Sequence, residues 1–111
     1  MAKVLGFFHL KLQPDVDATT LERFLKEEAF PYWEQLPGLK CHLVQGREGT
    51  MLQAGEYYWV NEAESEERHQ GFLPTPNEEF QRHFDVGLPK HGETWERLIA
   101  DFIYQGSLLV V

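Results

Sequence analysis

One cysteine, Cys41, in 111 residues excludes an intrachain disulfide and with it a small fold held by covalent staples. A chain without disulfides is expected in a reducing compartment, so the reading is intracellular and cytoplasmic. Basic residues are also scarce: ten Lys and Arg against eighteen Asp and Glu leave a net charge of −8. Nucleic acid binding draws most of its affinity from cations that neutralise phosphates, so neither nucleic acid nor an acidic membrane surface is an expected partner. Long apolar runs are missing as well, and nothing approaches the roughly 20 residues of a membrane span. The stretch VLGFFHL after Lys3 is interrupted by His9 and Lys11 and has no small-residue cleavage site, so it reads as a strand and not as a leader.

Metal spacing is absent too. The histidines at 9, 42, 69, 83 and 91 form no H-x-x-x-H, and no Cys/His pair has zinc spacing. Glu79 and His83 share a helix face at i, i+4, which reads as an ordinary surface pair. No metal and no cofactor are expected.

What is present is an ordinary globular composition, 42% hydrophobic and 25% charged, sized for one domain with one core across residues 1–111. VLGFFHLKL (4–12) is a strand whose even positions Val4, Phe8, Leu10 and Leu12 are apolar, while Leu5, Phe7, His9 and Lys11 make a mixed face. Thr19 and Glu22 form a T-x-x-E capping box, with Asp17 as the alternative cap, and Leu21, Phe24, Leu25, Ala29, Tyr32, Trp33 and Leu36 follow at helical spacing. Pro31 inside that run requires a kink or a restart with Pro31 at its first position, aiming Tyr32 or Trp33 at the sheet. Pro37 and Gly38 end the helix.

LKCHLVQ (39–45) and EYYWVN (56–61) are the next strands. Ser65 caps a turn that carries Glu66 and Glu67. Thr75, Pro76 and Glu78 form a second capping box, and Phe80 and Phe84 lie four apart on one face. GLPKHG (87–92) is expected to break this helix. Trp95, Leu98, Ile99 and Phe102 then give an amphipathic stripe at i, i+3, i+4 and i+7, before a last strand over 103–111. The order is β-α-β-β-α-β: an α+β, ferredoxin-like chain with a four-stranded antiparallel sheet and helices on one face.

Phe24, Pro31 and Leu36-Pro37-Gly38-Leu39 resemble the F...H-x-P...LPG-aliphatic segment of EthD-like proteins, a likeness confined to roughly residues 20 to 45. These proteins belong to the dimeric α/β barrel superfamily, with the NIPSNAP-like proteins and small antibiotic-biosynthesis monooxygenases. The resemblance implies a homodimer formed through the open sheet face and a pocket between sheet and helices for a hydrophobic small molecule. It also implies chemistry of the cofactor-independent monooxygenase or proton-transfer kind. Ala29 stands where many EthD-like sequences carry histidine, and the first strand has no Asn of the haem-degrading kind. A non-catalytic small-ligand-binding or stress-related dimer is the alternative.

Histidine is the side chain suited to proton transfer near neutral pH. If the mixed face of the first strand lines a pocket, His9 can abstract or deliver a proton; if it lines a dimer seam, His9 is a hydrogen-bonded structural group. His42 poses the same choice, whereas His69, in a charged run, is expected to be solvated. Alternation puts Tyr57 and Trp59 on one face and Tyr58 on the other. His9, Tyr58 and His83 are therefore the catalytic candidates, and Trp33, Tyr32, His42 and Trp59 the ligand-binding ones. Trp33, Trp95, Phe80 and Phe84 read most simply as core, and Glu62, Glu64, Glu66 and Glu67 as a solvated acidic corner.

Overall fold

The computed structural model describes residues 2–49, 52–72 and 76–111. Its strands are β1 (Val4–Leu12), β2 (Leu39–Gln45), β3 (Tyr57–Ala63) and β4 (Ile99–Leu109), joined as one four-stranded antiparallel sheet in the order β2-β3-β1-β4. The two crossovers carry α1 (Ala18–Phe24) with α2 (Phe30–Trp33), and α3 (Glu66–Phe72) with α4 (Glu78–Leu98). Adjacent central strands β1 and β3, each linked to an edge strand through helices, are the ferredoxin-like split β-α-β arrangement.

Period-2 alternation sorts the side chains into two faces. Toward the helices, successive rungs place Leu43, Trp59, Phe8 and Tyr104 side by side, then Gln45, Tyr57, Leu10 and Phe102. Phe8 stacks on Phe102 at 4.6 Å, Phe30 meets Trp59 edge-on at 4.7 Å, and Trp95 meets Phe102 at 5.2 Å. Each such ring pair adds about 0.5–1.5 kcal/mol beyond area burial. The Trp59 indole N–H is satisfied in place by Asn61 Oδ1 at 2.6 Å, which also accepts from the Cys41 thiol at 3.6 Å. Asn61 is thereby a buried polar group that costs little.

The first helix is capped by Asp17, whose carboxylate accepts from Thr19 N at 3.1 Å, so the alternative cap is the one used. The break required by Pro31 takes the form of a π-helical segment, Leu25–Ala29, in which Phe30 N–H reaches Leu25 O. A short α turn follows with Pro31 in its first turn, where its missing N–H is least costly. Of the two rings expected to be aimed at the sheet, Trp33 packs against the core, while Tyr32 turns away from the sheet to α4. The helix has ended by Pro37, and Gly38 takes φ +76°, which a side chain would strain.

The second crossover departs further from expectation. Ser65 Oγ accepts from Arg68 N at 3.2 Å and caps α3 as read. Thr75 lies outside the described residues; the cap of α4 is Asn77, whose Oδ1 accepts from Phe80 N at 2.9 Å. GLPKHG does not break the helix: α4 runs from Glu78 to Leu98 with Pro89 inside it. Pro89 and Asp85, four residues back, are both exposed, so water can take the carbonyl that proline leaves without a donor. The stripe Trp95, Leu98, Ile99, Phe102 spans an element boundary, because Ile99 is already extended and pairs with Leu12. A register shift between Lys11 and Leu12 restores Phe102 to the core face. Phe84 is 46% exposed and not core, since the face it shares with Phe80 passes beyond the packed layer. His69 is buried, not solvated: it covers Gly6, and a Cβ there would stand 3.1 Å from its Cε1.

Candidate functional site

The sheet face turned away from the helices is built of three rungs. They read Leu108, Leu5, Glu62, Lys40; then Gly106, Phe7, Val60, His42; then Ile103, His9, Tyr58, Val44. The centre is apolar and the β2 edge is charged. At that edge Glu62 lies 3.5 Å from both Lys3 Nζ and His42 Nε2. Partial burial would raise its carboxyl, but Lys3 and His42 outweigh that and hold it below the usual range.

His9 and Tyr58 meet on the last rung because β1 and β3 pair there in register, and their rings stack at 4.9 Å. The β2–β3 connection folds back over them. Gly46 N–H donates to Glu56 O and Gly55 N–H to Gly46 O, both at 2.8 Å, and a Cβ on Gly46 would collide with Gln53 O. This tight return puts Gln53 N–H 2.9 Å from the Tyr58 hydroxyl and Glu56 Oε1 3.2 Å from His9 Nε2. A carboxylate offers no proton, so Nε2 carries the hydrogen of this contact. The His9 side chain is 7% exposed and Glu56 45%.

Glu56 is the residue the sequence reading missed on this face. Its position two residues ahead of Tyr58, in step with the strand alternation, was the available signal.

His83 does not join this group. It lies on α4, across the sheet from His9, where its ring stacks on Tyr32 at 3.9 Å. Its Nε2 donates to Tyr32 O at 2.7 Å, and the Tyr32 hydroxyl donates to His83 O at 2.6 Å. Burial pushes the Tyr32 phenol up from its usual pKa, keeping it a donor. Glu79, four residues before His83, is held by two bonds from Arg68, at 3.1 and 3.3 Å, which keep its carboxyl below the usual range. Among the described residues no group of three His, Cys, Asp or Glu side chains is placed to hold a metal ion.

The ligand-binding candidates are likewise divided. Trp59 and Trp33 are packed into the core, Tyr32 lies between helices, and His42 is on the helix-free face beside Glu62. The space expected as a pocket between sheet and helices is occupied by Phe8, Phe24, Phe30, Trp59 and Phe102. Two surface depressions lie elsewhere. One, of about 320 Å³, is bordered by Lys3, Glu34, Lys40 and Glu64 with the Leu36–Leu39 turn; the other, of about 280 Å³, lies between Tyr32 and Leu36 on one side and Arg82, His83 and Val86 on the other. No described helix is long and apolar enough to cross a membrane.

Strand order and one-sided helix cover define a ferredoxin-like α+β chain. No family model matches the sequence, and no curated protein matches it either. Among solved structures it is similar to a dimeric ferredoxin-like protein of unknown function from Thermobifida fusca, at 12% identity and a TM-score of 0.46, over 99% of this chain and 91% of that one. It is also similar to an EthD family protein from Bacillus halodurans, at 17% identity and a TM-score of 0.48, over 96% and 98% of the two chains.

Proposed function

We propose that residues 1–111 act as one cytoplasmic domain that pairs with a second copy through the helix-free sheet face and performs proton transfer on a small hydrophobic or aromatic molecule. The observation that carries this reading is the His9 imidazole, stacked on Tyr58 and held by Glu56 on that face. His9 Nδ1 takes the proton from a weakly acidic C–H or phenolic O–H. The Glu56 carboxylate steadies the imidazolium that forms. Tyr58, whose oxygen already accepts from Gln53 N–H, has its own hydroxyl proton to donate to the oxygen where charge develops.

Nitrobenzisoxazole, a planar aromatic carbon acid whose ring opens on loss of a proton, is a suitable probe. Turnover by the native protein that falls at least tenfold in His9→Gln, with the thermal midpoint kept, supports the reading. No turnover above buffer, or equal turnover in His9→Gln, overturns it. The second reading, a non-catalytic ligand-binding or stress-related dimer, would then stand. Ala29 in the place of a family histidine and the nearly sealed His9 ring favour that reading.

A further inference from the structure

The groove between α2 and α4 is unrelated to the sheet face, and its chemistry is specific. His83 is held in three ways: by the Tyr32 stack at 3.9 Å, by its own bond to Tyr32 O at 2.7 Å, and by Trp33 edge-on at 5.1 Å. A backbone carbonyl can only accept, so the ring hydrogen sits on Nε2 and the neutral ring keeps a bare acceptor at Nδ1. A fixed acceptor loses little freedom when a ligand donor meets it. Next to it, Arg82 lies 3.8 Å from Glu78 with both side chains largely exposed, a pair that holds the guanidinium weakly, and its charge also acts on Glu79. Glu79, the other acid on this wall, is bonded by Arg68, and an incoming anion has to displace what remains of its pull on Arg82. Leu36 and Val86 supply apolar sides and Gln35 an amide.

We propose that this groove binds a one-ring aromatic carboxylate bearing a hydroxyl: Arg82 takes the carboxylate, Leu36 and Val86 flank the ring, and His83 Nδ1 accepts from the hydroxyl. A depression of about 280 Å³ has room for a one-ring ligand. Guanidinium–carboxylate pairing is the charge-assisted bond that makes an anion worth binding on a chain of net charge −8. The proposal does not depend on dimerisation or on His9, and its failure leaves the sheet-face reading untouched.

The test is a titration of ring-labelled histidine and arginine NMR signals with para-hydroxybenzoate, benzoate and para-hydroxybenzyl alcohol. Saturable shifts at His83 and Arg82 are expected with para-hydroxybenzoate, with affinity about tenfold weaker for the alcohol, which lacks the charge-assisted bond, and about threefold weaker for benzoate, which lacks only the neutral one. Arg82→Gln, at an exposed position, should fold normally and weaken para-hydroxybenzoate about tenfold while leaving the alcohol unchanged. Equal affinity for all three probes, equal affinity in Arg82→Gln, or no shift at His83 at millimolar probe would overturn the proposal.

Discussion

Tyr32 and His83, 51 residues apart, each place a side-chain donor on the other's backbone carbonyl, at 2.6 and 2.7 Å, with their rings stacked between. This reciprocal bond fastens the end of the first helix to the middle of α4. It is possible because Gly87, one turn beyond His83, has no side chain: a Cβ there would lie 2.5 Å from Tyr32 Cε2. His91, a further turn on, meets the same ring edge-on at 5.3 Å.

Two glycines of α4 should therefore respond oppositely to alanine. Gly87→Ala must displace the Tyr32 ring and is expected to destabilise by about 1–3 kcal/mol, the range of overpacked sites, in spite of alanine's helix preference. Gly92→Ala meets only the tip of Leu88, an exposed and flexible side chain, and should stabilise by about 0.5–1 kcal/mol. Urea denaturation of the two variants checks the sign of each.

Phe7 and Val60 sit at the middle of the helix-free face, flanked by Leu5, Ile103 and Leu108. Light scattering should give twice the 13.0 kDa chain mass. Phe7→Glu, which places a charge in an apolar seam but leaves the helix-side core alone, should give the chain mass with far-UV circular dichroism unchanged. A native protein of single mass would remove the sheet-paired dimer.

Stability should depend on pH through His91. Burial, reinforced by Lys90 and opposed by Glu28, lowers its pKa below 6.5, so the folded state resists protonation. The unfolded chain then binds the extra proton first. The contribution is present in full above pH 6.5 and is lost as the pH falls through the lower, folded value. His91→Gln should flatten the acid-side decline in thermal midpoint between pH 7 and 5, and an unchanged slope would assign the decline to the carboxylates.

Cys41 faces the core beside Asn61, and burial, with Glu34 nearby, pushes its thiol well above the ordinary range. The thiolate is the reactive species. Labelling by a disulfide reagent at pH 8 should be slow in buffer and rapid in urea, with the native rate following the unfolding equilibrium. Rapid labelling in buffer would show the β2 edge open to solvent.

The sequence by itself determined the order of elements and the alternation along the strands, because alternation, helical spacing and capping groups act over a few residues. Ser65, Phe8 and the Pro31 break were legible for that reason, and Asp17 as one of two possible caps, whereas the face taken by Trp59 was not. Where one local signal had two physical meanings, it did not decide. Gly87 and Pro89 read as a helix end, but the glycine is there to admit Tyr32. The stripe ending at Ile99 and Phe102 fits a helix as well as a shifted strand, and pairing with β1 chose the strand. Only the tertiary structure sorted the candidate site. It joined His9 and Tyr58 through strand register and brought Glu56 to them through the turn, but left His83 with Tyr32 on the far side of the sheet. Those groupings depend on which strands pair and which helix faces meet, which spacing along a chain does not encode.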